Sequence, residues 1–226
     1  MSYNPYSLQD KTILVTGASS GIGRQTAIEC ARLGATVIIT GRNEQRLQET
    51  LDLITDTEGG SEYVVCDLND PEAISAMVSR LPRLDGLVSN AGFTKLQPIP
   101  FLRDDEVRRM FQTNVLSPML LIRELLKARK LAKKSSVVFT SSLDGIGPTT
   151  VANSVYAATK GALSAFVRGA ALELAGRQTR VNAVCPGMVN THILDDIALA
   201  ITYLLSDAAS WVTGTNLVID GGLSLQ

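Results

Sequence analysis

The sequence predicts an α/β protein: one doubly wound parallel sheet of about seven strands with helices on both faces. Two observations lead there. Short β-rich runs alternate with longer helical stretches along the chain, and a parallel neighbour can only be reached through such a crossover. A glycine-rich turn, Thr16-Gly17-Ala18-Ser19-Ser20-Gly21-Ile22-Gly23, joins the first strand to the first helix. At 226 residues and 45% hydrophobic, the chain buries one sizeable core but is short for two, so residues 1–226 read as one domain.

The strand runs, in order, are Thr12 to Thr16, Thr36 to Thr40, Glu62 to Cys66, Gly86 to Ser89, Ser136 to Thr140, Arg180 to Cys185 and Asn216 to Ile219. Helical patterns fill the gaps at about Gly21 to Leu33, Asn43 to Thr55, Pro71 to Leu81, Asp104 to Leu131, Ser154 to Ala175 and Asp195 to Leu205. Asp70 before Pro71 makes a helix start, and Gly34 ends the first helix with a residue that tolerates left-handed geometry. The mixed charges from Arg103 to Arg109 read as a solvated helix face rather than a binding patch.

Composition excludes several classes. Twenty-one basic against 22 acidic residues leave a net charge of −1, which argues against nucleic acid or an anionic membrane as partner. Cys30, Cys66 and Cys185 show no metal-ligand or disulfide spacing, which suits buried thiols in a reducing compartment, the cytoplasm, and predicts no metal site. The polar start, Met1 to Asp10, lacks signal-peptide regions, and no apolar run approaches the length of a membrane span. The expected partner is a small molecule.

The glycine turn has a physical logic. Gly17 permits the tight turn, Gly21 lets backbone approach a ligand, Gly23 allows close helix packing, and the free N–H groups with Ser19, Ser20 and Ile22 face a pyrophosphate. After the second strand, a carboxylate would accept bonds from an unmodified adenosine ribose. Here the chain reads Thr40-Gly41-Arg42-Asn43, and the Arg42 fork suits a 2′-phosphate, so NADP(H) is favoured over NAD(H). Asp67, with Leu68 after the third strand, is placed to bond the adenine amino group, although a turn aspartate needs no such role.

Tyr156 and Lys160 stand at i and i+4, so a helix puts both on one face. A phenol is a weak acid at neutral pH, and a neighbouring ammonium brings its pKa toward a useful range, while the same lysine can bond ribose hydroxyls. Ser141 and Ser142 close the fifth strand, at the edge where open α/β sheets assemble their sites, and a hydroxyl there can polarise a carbonyl. Asn90-Ala91-Gly92 ends the fourth strand with room for a flat cofactor, and Asn114 interrupts a helical pattern shortly before Pro118.

This ordered set, with Pro186-Gly187, Val212-Thr213-Gly214 and Asp220-Gly221-Gly222, resembles the short-chain dehydrogenase/reductase family over nearly the whole chain, and is similar to its 3-oxoacyl-acyl-carrier-protein reductase group. The resemblance implies a Rossmann-type, dinucleotide-binding and catalytic domain. It also implies a tetrad of Asn114, Ser142, Tyr156 and Lys160. In that tetrad Tyr156 is the general acid for reduction, Ser142 orients the carbonyl, Lys160 lowers the tyrosine pKa and Asn114 holds a relay water. By the same resemblance, backbone after Pro186 and Gly187, especially Val189, meets the nicotinamide carboxamide, and Thr191 lies near the phosphates. Ser142 is preferred to Ser141 because Leu143-Asp144-Gly145 follows it.

Family members carry a longer segment over the substrate where this chain has only His192, Ile193, Leu194, Asp195 and Asp196 before a helix near Ile197. The lid is therefore short or missing. Either the cleft is open or the chain lacks a segment, and the mass of the intact polypeptide separates the two. His192, the only histidine, has no second base or nucleophile beside it and reads as structural. The expected activity is NADPH-dependent reduction of a ketone, such as a 3-oxoacyl thioester or a small cyclic or sugar-derived ketone. The alternatives are oxidation of a secondary alcohol by the same residues, or a non-catalytic NADP(H) sensor. The apolar stripe Leu163, Phe166, Ala170 and Leu174 suggests a homo-oligomer, a dimer or tetramer.

Overall fold

The computed structural model describes residues 3–54, 60–187 and 193–225. Seven strands form one parallel sheet: β1 (Thr12–Thr16), β2 (Thr36–Gly41), β3 (Glu62–Val65), β4 (Leu84–Ser89), β5 (Leu131–Thr140), β6 (Arg180–Pro186) and β7 (Asn216–Ile219). Their spatial order is β3-β2-β1-β4-β5-β6-β7. The chain winds outward from β1 through β2 to β3, then crosses back to place β4 on the other side of β1. The crevice beyond the ends of β1 and β4 is thus the switch point where such sheets bind ligands.

The two faces follow from the period of two along a strand. Leu14, Ile38, Leu87, Val137, Phe139 and Val181 point into one apolar layer. Their neighbours Ile13, Val15, Val37, Ile39, Val88 and Val138 point into the other. Helices α3 (Pro71–Arg80), α5 (Ser117–Lys127) and α6 (Ser154–Leu174) cover the first face with Ile74, Leu121 and Val167. Helices α1 (Gly21–Arg32), α2 (Glu44–Asp52) and α7 (Leu194–Leu205) cover the second with Ala27, Leu47 and Ile201. No described helix is long and apolar enough to cross a membrane.

Helix boundaries obey their caps. Asp70 accepts the N–H of Glu72 at 2.9 Å ahead of Pro71. Gly34, at φ +94°, closes α1 while its N–H reaches Ala31 and that of Ala35 reaches Cys30.

The expected continuous helix from Asp104 to Leu131 is not one helix. It comprises α4 (Asp104–Phe111), a π-helical turn over Gln112–Leu116 and α5, which stops at Lys127. Leu131 already belongs to β5. The stop is a Schellman closure without glycine: Arg129 takes φ +56° while the N–H of Lys130 bonds Leu125 and that of Arg129 bonds Leu126.

The stripe Leu163, Phe166, Ala170 and Leu174 does not face outward either. Leu163, Ala170 and Leu174 are buried in the layer between α6 and the sheet, and the Phe166 ring packs edge-on against Phe139 at 5.9 Å. One sheet contact accounts for the whole stripe, so it carries no argument for an oligomer.

Candidate active site

A cleft of about 630 Å³ runs along the strand ends from Arg42 and Arg46 at one end to Ser142 and Tyr156 at the other. The first strand turn builds its floor. Gly17 adopts φ +65°, and a Cβ there would lie 2.8 Å from Ala91 Cα. A Cβ on Gly23 would overlap the Gly17 carbonyl oxygen and come within 2.5 Å of Asn90 Nδ2, so the helix can pack this closely only without a side chain. Thr16 Oγ1 accepts the N–H groups of Asn90 and Ala91 at 2.9 and 3.1 Å, tying β1 and β4 together beneath the cleft. Ser20, the N-cap residue of α1, makes no side-chain cap bond, so first-turn amides remain available to an anion. Ser19, Ser20 and Ile22 line the cleft, whereas Gly21, at φ +55°, stands beside open space and Gly23 lies behind in the packing.

At the adenine end the structure adds a residue that the sequence reading missed. Arg46, in the first turn of α2, lines the cleft with Arg42, and among the described residues neither guanidinium has a side-chain partner. Asn43 caps that helix through the N–H of Arg46 at 2.9 Å. Asp67 accepts the N–H of Asn69 at 3.0 Å and still lines the cleft with Leu68.

Asn90, Ala91, Gly92, Pro186 and Gly187 border the middle of the cleft. Asn114 sits behind Gly92 in the π-turn, fully buried. Its Oδ1 accepts the Phe93 N–H at 3.0 Å, and its Nδ2 donates to the Phe93 carbonyl at 2.9 Å and to Thr159 Oγ1 at 3.1 Å. Three of its four hydrogen-bonding positions are thus spent holding the segment after β4 to α6, and one lone pair remains. Val189 and Thr191, expected at the nicotinamide and the phosphates, and His192 lie outside the described residues.

The reactive end gathers Ser142, Tyr156 and Lys160. Ser141 faces inward, bonding Ser164 Oγ at 2.7 Å and the Lys160 carbonyl at 3.0 Å. Ser142 faces the phenol. Its hydroxyl donates to Asp144 Oδ2 at 3.0 Å and accepts the Asp144 N–H at 3.2 Å. Gly145 seats this turn on α6, where an added Cβ would meet Gly161 N and Lys160 C at 2.5 Å.

The electrostatics differ from the sequence expectation in one respect. Lys160 Nζ does not bond the tyrosine: it donates to the Thr140 carbonyl at 2.7 Å and lies 5.6 Å from the Tyr156 ring centroid. Burial pushes the lysine itself down from 10.5 to about 8. Tyr156 is raised above the ordinary phenol range, mainly by burial; the Ser142 hydroxyl pulls it down and the Asp144 charge pushes it up. A phenol whose ammonium neighbour is turned to a carbonyl keeps its proton, so here Lys160 does not lower the tyrosine pKa as expected.

The charged face from Arg103 to Arg109 is solvent-exposed as expected, with Arg103 and Asp105 forming an exposed pair. The exposed Arg109 also borders the cleft and lies 5.0 Å over the Phe93 ring.

The residues present fit a dinucleotide: a side-chain-free cradle, uncapped helix amides and two unpaired guanidiniums lie along one cleft. Fold and site together define a class, the nicotinamide-dinucleotide oxidoreductases built on a doubly wound sheet. The family model described as short chain dehydrogenase matches residues 11–201, and the chain belongs to that family.

Among its relatives, the L-xylulose reductase of Caenorhabditis elegans is 34% identical, over 97% of this chain and 98% of that protein. The cyclopentanol dehydrogenase of a Comamonas strain is 32% identical over 95% and 97%. A 3-oxoacyl-[acyl-carrier-protein] reductase of Rickettsia felis is 31% identical over 96% and 98%. The solved short-chain type dehydrogenase/reductase of Mycobacterium marinum superposes with a TM-score of 0.91 at 29% identity, covering 98% of each chain. The cyclopentanol dehydrogenase alignment spans 244 positions, more than the 226 residues here, so that relative carries residues with no counterpart in this chain.

Proposed function

We propose that this protein is an NADP(H)-dependent oxidoreductase that interconverts a ketone and a secondary alcohol, working as a ketone reductase. The observation that carries the reading is the convergence of Ser142, Tyr156 and Lys160 at one end of a cleft whose other end presents Arg42 and Arg46. The backbone around Gly17 to Gly23 would hold the pyrophosphate, with Thr191 near the phosphates, Asp67 and Leu68 at the adenine, and Asn90 to Gly92, Pro186, Gly187 and Val189 along the nicotinamide half. Arg42 and Arg46 supply two cations to a 2′-phosphate, and no carboxylate stands at the end of β2 to receive an unmodified ribose.

The bound nicotinamide supplies or accepts the hydride. Ser142 orients the substrate oxygen toward Tyr156. The phenol, held protonated by burial, donates its proton to that oxygen during reduction. Lys160 would hold ribose hydroxyls on leaving the Thr140 carbonyl, and its charge would then favour the phenolate. Asn114 fixes the cleft wall and offers its free lone pair to a relay water.

The relatives' names suggest the panel: cyclopentanone, L-xylulose and an acetoacetyl thioester, with the matching alcohols. Each is assayed by NADPH or NADP absorbance with Tyr156→Phe as control. A loss of about 10²-fold or more in the variant is expected. An unchanged rate would sink the mechanism, and NADPH binding without turnover of any compound would leave a sensor.

The remaining readings are a cytoplasmic location, supported by three buried free thiols, and a homo-oligomer, either dimer or tetramer. The exposed Leu172 on α6 and Trp211 support the second, and sedimentation as a monomer at micromolar concentration would remove it.

A further inference from the structure

Asp144 stands directly behind Ser142 and outside the cleft lining. Every polar side chain around it donates. Ser142 Oγ reaches Oδ2 at 3.0 Å, while Thr149 Oγ1 and Asn153 Nδ2 reach Oδ1 at 2.6 and 2.9 Å. The Asn153 amide is oriented from its far side, where its carbonyl accepts Thr94 Oγ1 at 3.1 Å. A group served only by donors is an acceptor-only carboxylate. Of the other ionisable groups nearby, Lys160 on α6 is turned to the Thr140 carbonyl and buried Cys185 on β6 to Ser141 and Ser164, while Tyr156 on α6 faces the same Ser142 hydroxyl and feels the Asp144 charge.

A serine hydroxyl has one proton and two lone pairs. Here the proton goes to Asp144, and the Asp144 N–H takes one lone pair at 3.2 Å. A charge-assisted bond to carboxylate outcompetes one to a neutral ketone oxygen. In this arrangement Ser142 offers Tyr156 and the cleft a single lone pair, which an alcohol O–H can use directly, whereas a ketone is oriented by the serine only after drawing its proton away from Asp144. We propose that Asp144 is a positioning residue that sets the hydrogen-bond polarity of Ser142, biasing the ground state toward the alcohol and away from the ketone. The proposal rests on the catalytic reading of Ser142 and Tyr156 given above.

Asp144→Asn tests it. The Asn153 NH2 can only donate, so the new amide keeps its oxygen toward Asn153 and Thr149 and turns its NH2 to Ser142, releasing the serine proton to the cleft. For the panel pair that turns over, the KM of the ketone with NADPH is expected to fall about threefold or more. The KM of the alcohol with NADP should rise by a similar factor, and kcat should compensate because the overall equilibrium is fixed. A merely structural role raises both KM values together.

Asp144→Ala removes the acceptor without adding a donor and is expected to move the KM ratio in the same direction, so the test survives if the asparagine variant folds poorly. An unchanged ratio in both variants, with Tyr156→Phe inactive, overturns the proposal alone. A fully active Tyr156→Phe, or a panel in which no pair turns over, overturns the catalytic reading and the proposal with it.

Discussion

The Lys160 ammonium is buried and donates a 2.7 Å hydrogen bond to the Thr140 carbonyl, so the fold holds a cation with one neutral acceptor in place of water. Burial pushes its pKa down from 10.5 to about 8. Between about pH 8 and 10.5 the unfolded chain binds the proton more tightly than the folded one, so this site's contribution to stability rises with pH through that window. Lys160→Met is expected to be more stable than the parent at pH 7 by about 1–3 kcal/mol, to lose most of that advantage at pH 10, and to be catalytically impaired. Urea melts of both proteins at the two pH values check the sign.

Arg42 and Arg46 should be separable from the chemistry. Arg42→Ala combined with Arg46→Ala is expected to raise the KM for NADPH by about 10- to 100-fold, from the loss of charged hydrogen bonds worth roughly 1.5–3 kcal/mol, and to leave the KM for NADH within about twofold. Steady-state kinetics with both cofactors decide, and equal losses for the two would show that the arginines do not read the 2′-phosphate.

Gly145 lies on the backbone of α6 between Ser142 and Lys160. Gly145→Ala puts a methyl 2.5 Å from Gly161 N, and neither backbone can yield without moving the serine or the lysine. Destabilisation of about 1–3 kcal/mol is expected, with kcat down about tenfold or more. Thermal melting and turnover measured together test this; a variant stable and fully active would mean the turn can shift freely.

Asn114→Ala strips partners from the half-buried Phe93 N–H and carbonyl and from buried Thr159. Each orphaned group costs about 1–3 kcal/mol. Asn114→Asp keeps the oxygen for the Phe93 N–H but turns a second acceptor toward the Phe93 carbonyl, so it is expected to be no better. Equilibrium unfolding of the pair against the parent provides the measurement.

The alternation of strands and helices was legible because each strand's apolar alternation and each helix's period are local properties. So were the starts at Asp70 and the stop at Gly34, where the cap residue is chemically distinctive. The stop at Lys127 was not, because Arg129 takes the left-handed cap position without being glycine. The π-turn at Asn114 was visible only as an interruption. The bonds its side chain makes there, to Phe93 and Thr159, depend on residues far apart in sequence. Arg46 stood four residues after Arg42 and was within reach of the same reasoning. Arg109 carried no signal, since its charged neighbours looked alike until one of them lay over Phe93.

By itself, the sequence determined the doubly wound sheet, the family, and the residue types at the ends of its strands, because those follow from short-range periodicity and from glycines that only one geometry requires. Only the tertiary structure decided what Tyr156 and Lys160 do to each other's protons. Burial and the Thr140 carbonyl outweigh a helical spacing of four, and the partner of Ser142 is a carboxylate two residues on whose orientation is imposed by Thr149 and Asn153. Spacing places side chains on a common face; the desolvation and competing partners that set their charge exist only once the chain is packed.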